Sequence, residues 1–398
     1  MRQNRREFML AATRLGSLAA ASSLLRSSML RAEDRRFRAA IIGDTSRGGY
    51  GHGLDMIFAQ RANVEVVAVA DPSAEGRQRA AGRTGAQRQY ADYHEMLAKE
   101  QPDLVSVAPR WTDQHHAMAM AALRHGAHLF MEKPITRTLA QADEVLALAS
   151  QANLKIAVAH QMRLAPNLMF LQQRLAAGLI GDVLEIRAHG KQDHRAGGED
   201  VIVLGVHLFD LMRFFAGEPQ WCSARVLHEG RDITLQDARP ATEDIGPVAG
   251  DTILAQFAFD HGVNASFTSR RHNRTAGPWG LELIGSRGAV RILADIFPRI
   301  YKRNDWNWSD TGLAARWQPI DGDPTANWTR DEQSVQRANQ RLADDWLAAI
   351  RSNREPACSG ADGMRALEMA HAVFAAGLSG SRVKLPLVNR EHPLAKNG

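Results

Sequence analysis

The chain has 398 residues, of which 44% are hydrophobic, and its 49 Lys+Arg against 44 Asp+Glu give a formal net charge of +5. Six arginines and one glutamate of that balance fall within residues 1–32, so the remainder is formally neutral and lacks the basic footprint that nucleic-acid binding needs. Two cysteines, Cys222 and Cys358, set neither a disulfide framework nor a metal-ligand spacing; they read as buried thiols, with a single bond between them conceivable.

Residues 1–32 read as a targeting segment. Arg5-Arg6-Glu7-Phe8-Met9 precedes a mildly apolar, small-residue run from Ala11 to Leu25 that Arg14 interrupts. A bilayer span takes about 20 strongly apolar residues, so membrane insertion is not expected. Paired arginines ahead of such a run resemble a twin-arginine export signal, cut near Leu30-Arg31-Ala32, and predict a periplasmic protein.

From residue 33 to 158 strands alternate with helices, which predicts a doubly wound parallel sheet of the Rossmann kind. The first strand, Arg38 to Ile42, breaks at Gly43, and the loop Asp44 to Gly53 then feeds a helix expected near Leu54. A glycine-rich turn at that place brings backbone N–H groups up to a pyrophosphate. The spacing departs from G-x-G-x-x-G; Gly43 and Gly49 serve as its outer glycines with an insertion between, and Thr45, Tyr50 and Gly51 are further cofactor-contact candidates. The second strand, Val64 to Ala70, ends at Asp71, placed to hold ribose hydroxyls and repel a 2′-phosphate. NAD is therefore expected, with Arg77 keeping NADP possible.

A third apolar strand runs from Pro102 to Pro109, followed by Arg110-Trp111 and a helix carrying His115 and His116. His125 lies nearly three turns beyond His115, so no metal site is expected. The strand His128 to Met131 ends in Glu132-Lys133-Pro134. A lysine there, partly desolvated at the carboxyl edge of a sheet, can titrate low enough to exchange protons with a substrate hydroxyl. Another helix, Leu139 to Gln151, and a strand, Lys155 to Ala159, complete the alternation.

These segments, with His160-Gln161-Met162-Arg163-Leu164-Ala165-Pro166, Gly205-Val206-His207-Leu208-Phe209-Asp210 and Leu283 to Ala289, resemble the Gfo/Idh/MocA family of nicotinamide-dependent oxidoreductases over Arg38 to Val388. The resemblance implies an α+β second domain, 159–388, whose large, mostly antiparallel open sheet covers the nicotinamide and mediates homo-oligomers; a tail, 389–398, would follow. It implies Lys133 as the hydrogen-bond donor to the reacting oxygen, His207 as acid/base, and Pro109, Arg110, Trp111, His115, Glu132, Lys133 and Arg163 on the cofactor side. One position departs from the pattern: the family aspartate four residues before the histidine is Val203 here. Asp193, His194 and Asp200 in the preceding loop are the candidates to take over.

The implied substrate is a sugar, gripped by Arg163, Asp193, His194, Arg270, Arg271 and His272. Trp306, Trp308, Trp317 and Trp328 in a 300–330 insertion would stack on sugar rings or anchor a loop. An exported enzyme finds no free NAD, so its cofactor must travel in bound and its turnover must be cyclic. That expectation admits a sugar oxidoreductase, a redox-neutral glycosidase or lyase working through a keto-sugar, or a non-catalytic carbohydrate-binding protein on the same fold.

Overall fold

The computed structural model describes residues 36–272, 279–294, 297–304 and 316–395; the expected signal, Trp306 and Trp308 lie outside these residues. Its first layer is a six-stranded, all-parallel sheet of β1 (Phe37–Ile42), β2 (Val64–Ala70), β3 (Arg88–Tyr90), β4 (Leu104–Val107), β5 (His128–Met131) and β6 (Ile156–Val158). The order β3-β2-β1-β4-β5-β6 reverses direction between β1 and β4, which is where such sheets open a ligand crevice. Helices α1 (Ala74–Thr84), α2 (Tyr93–Glu100), α3 (His115–Arg124) and α4 (Leu139–Gln151) cross between strands. Ser73, Asp92 and Thr138 start α1, α2 and α4 by accepting a first-turn N–H on their side chains.

The helix expected near Leu54 is only a short 3-10 stretch, Leu54–Phe58, led in by Gly53 at φ 80°. The missing crossover is supplied from far along the chain. Helix α8 (Val335–Ser352) lays Leu342, Ala343, Trp346 and Leu347 on Ile41, Leu54, Ile57, Phe58 and Phe130, with Trp346 edge-on to Phe130 at 5.7 Å. A segment read with the second domain thus completes the core of the first.

The second domain begins with α5 (Pro166–Ala176), β7 (Val183–His189), α6 (Gly198–Val203), α7 (Gly205–Ala216), β8 (Trp221–His228) and β9 (Arg231–Asp232). A two-stranded ribbon follows, β10 (Arg239–Pro240) and β11 (Pro247–Val248). Then come β12 (Thr252–Ala258), β13 (Asn264–Arg270), β14 (Trp279–Gly285), β15 (Gly288–Ala294), β16 (Arg299–Arg303) and β17 (Gln318–Pro319), and after α8 the helix α9 (Gly360–Ser379) and β18 (Val383–Lys384). The ten-stranded sheet runs β17-β16-β15-β14-β7-β13-β12-β8-β18, with β9 beside β8; β7 and β13 pair parallel and the other pairs are antiparallel. Alternation sets its buried face: Ile253, Ala255 and Phe257 point in, Leu254 and Gln256 out. Phe209 of α7 meets Phe257 and Phe267 edge-on at 5.4 and 5.1 Å. Cys222 and Cys358 are buried free thiols.

Past β18 the chain returns to the first domain, where Arg390 makes two 2.7 Å hydrogen bonds to Asp143 of α4. There His392 meets His371 of α9 edge-on at 4.5 Å, and burial lowers both imidazoles, His392 to about 4. A histidine with a depressed folded pKa takes up its proton on unfolding, so this stability is complete above pH 6.5 and is lost as pH falls toward 4. The thermal midpoint should therefore drop between pH 7 and pH 4.5, and less steeply in His392→Asn; equal slopes would rule out a titrating His392.

Candidate active site

The crevice is built at the carboxyl ends of β1, β2, β4 and β5. A cavity of about 180 Å³ lies between the ends of β1 and β2 and helix α3, lined by Gly43, Asp44, Asp71, Pro72, Ala91, Asp92, Tyr93, Gln114 and Met118. Above β1, Gly48, Gly49, Gly51 and Gly53 all take positive φ, from 55° to 81°, so the loop can turn repeatedly within ten residues. A Cβ on Gly43 would strike the Tyr50 ring at 2.1 Å and one on Gly51 would strike Glu132. Asp71 is fully buried. Its carboxylate accepts Thr45 N–H at 3.1 Å, Thr45 Oγ1–H at 2.7 Å and Ser73 N–H at 2.9 Å, so the exposed Thr45 covers it from solvent. Arg77 folds back on the carbonyls of Asp71 and Pro72.

Lys133 follows the last residues of β5 through a cis bond to Pro134. Glu132, fully buried, accepts the Lys133 N–H at 2.5 Å and pairs with His52 Nδ1. Burial alone would raise the Glu132 carboxyl, yet His52 and Lys133 beside it hold it down to about 2. Lys133 Nζ is buried and donates to the Val203 carbonyl at 3.0 Å. Val203, the position that departs from the family pattern, thus holds the lysine through its backbone carbonyl. Burial, opposed by Glu132 and Glu243, lowers the lysine below its usual range.

His207, on the first turn of α7, lies with its ring 5.2 Å from that of His160, edge to face. His207 Nδ1 and both His160 nitrogens are buried without a hydrogen-bond partner. Burial and then Lys133 push His207 well below the ordinary histidine value, and burial also lowers His160, so both imidazoles are neutral at pH 7. A cavity of about 130 Å³ opens here, lined by Lys133, His207, Gln161, Met162, Val203, Leu204 and Val335, with His52, Arg110, Lys191, Arg195 and Trp279 around them.

The remaining candidates divide. Arg110 reaches the cavity, its guanidinium 3.1 Å from Glu243 in the turn between β10 and β11. Trp111 packs under Arg47. His115 is fully buried, its ring nitrogens 2.9 and 2.8 Å from the carbonyls of Pro134 and Pro109, so it ties two crevice loops together from behind. Arg163 is committed elsewhere, to a bidentate pair with Asp210. None of Asp193, His194 and Asp200 lines the cavity. Asp193 closes a buried turn on Arg195 N–H, His194 is exposed, and Asp200 accepts the Ser269 hydroxyl at 2.8 Å while burial lifts it to about 6. Arg270, Arg271 and His272 are exposed outside the cavity. Trp317 stacks between Arg291 and Arg303 on the sheet, and Trp328 packs on Phe297. Sequence reasoning passed over His52, His160, Glu243 and Trp279. Two carried a positional hint: His52, inside the glycine-rich loop, and His160, which opens the segment His160 to Pro166.

Among the described residues no three His, Cys, Asp or Glu are grouped to hold a metal ion, and no helix is long and apolar enough to cross a membrane. The residues present do fit a dinucleotide. Two cavities flank the switch in strand order, one beside a buried acid at the end of β2, the other beside unpartnered imidazole nitrogens and a lysine. Such a fold and crevice define a nicotinamide-dependent oxidoreductase.

Residues 37–160 match the family model for the oxidoreductase family with an NAD-binding Rossmann fold, and residues 173–385 match that family's C-terminal alpha/beta domain. The chain belongs to the Gfo/Idh/MocA oxidoreductase family. It is 26% identical over 370 residues to a D-apiose dehydrogenase of Paraburkholderia graminis, covering 90% of this chain and 92% of the relative. It is 23% identical to the NAD(+)-dependent scyllo-inositol 2-dehydrogenase of Bacillus subtilis, covering 65% and 74%. Among solved structures, levoglucosan dehydrogenase in complex with NADH and levoglucosan superimposes with a TM-score of 0.68 at 20% identity, covering 88% of this chain and 100% of that one.

Proposed function

We propose that this protein is an exported, NAD-dependent dehydrogenase of a sugar or sugar derivative. The observation that carries the reading is Lys133 Nζ and the neutral His207 lining one cavity at the nicotinamide end of the crevice. The dehydrogenases of apiose and scyllo-inositol among the relatives support the substrate class. Gly43, the 44–53 loop and Asp71 would hold the dinucleotide, whose nicotinamide supplies the hydride acceptor. Lys133 donates a hydrogen bond to the substrate oxygen and stabilises the negative charge it gains as its carbon is oxidised. His207, neutral and lining the same cavity, receives the hydroxyl proton. The Glu132–His52 contact and the Val203 carbonyl fix Lys133 from both ends. The buried Asp71 repels a 2′-phosphate, which favours NAD over NADP.

The export motif Arg5-Arg6 supports a bound, recycled cofactor, and with it turnover that oxidises and re-reduces within one catalytic cycle. Residues 1–32 would direct the folded, loaded enzyme out of the cytoplasm. The test is to identify by mass any nucleotide that the purified chain releases on denaturation, and to titrate the stripped, refolded chain with NAD and NADP by tryptophan fluorescence. Absorbance at 340 nm is then followed with a panel of pentoses, hexoses, inositols and anhydrosugars. Binding of NAD at least tenfold tighter than NADP, with reduction by at least one sugar, is expected. A chain that neither releases nor binds either nucleotide is not an oxidoreductase, and one that holds NAD but converts no sugar or polyol, by absorbance at 340 nm or by product mass, refutes the substrate class.

A further inference from the structure

We propose that the substrate carries a carboxylate, held by Lys191 and Arg195 beside the Trp279 face; this rests on the sugar-dehydrogenase reading and names its substrate class as sugar acids. Arg110, Lys133, Lys191 and Arg195 line one cavity with His52 and His207, and no aspartate or glutamate is among the lining residues. Two carboxylates lie behind the four cations: Glu132, paired with His52, and Glu243, its Oε1 3.1 Å from Arg110 and 3.2 Å from Arg195. Lys133 gives one ammonium N–H to a carbonyl and, in the proposed reaction, another to the reacting oxygen. Lys191 Nζ, 6.0 Å from the Trp279 ring centroid, has no carboxylate within ion-pair distance among the described residues. Asp200, the acid whose charge acts on Lys191, is buried behind the loop and bonded to Ser269.

Cations crowded into a small cavity repel one another and lose hydration, a cost that a neutral sugar leaves uncompensated and an anion offsets. The dinucleotide phosphates are not the anion these groups await. Arg110 and His52 sit on first-domain loops near the glycine turns, whereas Lys191 and Arg195 lie between β7 and α6, and Trp279 opens β14, all on the second domain. An apolar ring flanked by a lysine and an arginine suits a pyranose or open-chain acid: the C–H face packs on the indole and the carboxylate takes the charge-assisted hydrogen bonds.

The probes are D-glucuronate and D-gluconate against D-glucose and D-xylose, offered to the NAD-loaded protein and followed by calorimetry and by absorbance at 340 nm. The acids should bind at least tenfold tighter than the neutral sugars. That preference should shrink at 0.5 M NaCl, fall at least tenfold in Lys191→Met, and return in large part in Lys191→Arg. Neutral sugars binding as tightly as the acids, or a preference that survives Lys191→Met and Arg195→Met, overturns the proposal. Calorimetry decides the carboxylate question whether or not hydride transfer is seen, so the two readings fail separately.

Discussion

Lys133→Met should lower kcat for sugar oxidation by about 10³-fold while leaving the affinity for NAD within about threefold. Methionine nearly matches the lysine stem in length, so the main loss is the ammonium donor at the cavity. The neighbours tolerate the change. Glu132 keeps His52 and the residue-133 N–H, and only the Val203 carbonyl loses its partner, a cost of about 1–3 kcal/mol. Circular dichroism melting should find the variant folded. An equal fall in kcat and in NAD affinity would move Lys133 from the reacting oxygen to the cofactor. An unchanged kcat would remove it from the chemistry.

Local signals carried most of the first domain. The run Val64–Ala70 is apolar or β-branched except at Glu65 and forms β2 over those residues; Thr138 caps α4, which spans Leu139–Gln151 as its pattern predicts. The Glu132-Lys133-Pro134 turn was legible because strand, charge and proline are contiguous. What escaped was set by contacts between distant segments. The amphipathic stripe of α8 shows that it buries Leu342 and Trp346, but not that the buried face belongs against Phe58 and Phe130, both more than 200 residues earlier. The glycine loop suggested a following helix, yet α8 occupies that flank and the loop needs only the short turn at Leu54.

The site failed to read for a related reason: a charge in a sequence does not say where its partner is. Arg163 looks like a cofactor ligand until Asp210 claims it, and Glu243 looks like solvated loop until Arg110 and Arg195 meet on it. The tryptophans repeat the lesson. A cluster in sequence drew attention to residues 306–328, whereas the ring that lines the cavity is the isolated Trp279. Val203, seen from the sequence as a loss, is in the structure a carbonyl acceptor for Lys133.

Asp210→Ala should be the most destabilising change near the site, costing about 3–5 kcal/mol. Asp210 is buried, Arg163 is partly so, and the two are joined by hydrogen bonds of 2.7 and 3.1 Å. Removing the carboxylate leaves Arg163 with Asp362 at 3.2 Å, which Arg213 also claims at 3.1 Å. Asp362 is moreover bound to cap α9 through Ser359. Asp362 would then be shared between Arg163, which has no other carboxylate left among the described residues, and Arg213, which also holds Glu218. The pair also sets the chemistry's geometry. Arg163 stands three residues after His160, Asp210 three residues after His207, so the ion pair and the histidine ring contact hold the same two segments together. Asp210→Ala should therefore lower kcat as well, through a displaced His207. In guanidinium unfolding, Arg163→Met/Asp210→Leu should lose less than the sum of its single variants, because the double change leaves no orphaned charge. Strict additivity would mean that the two side chains do not depend on each other, and the locking of His160 to His207 would have to be sought in another contact.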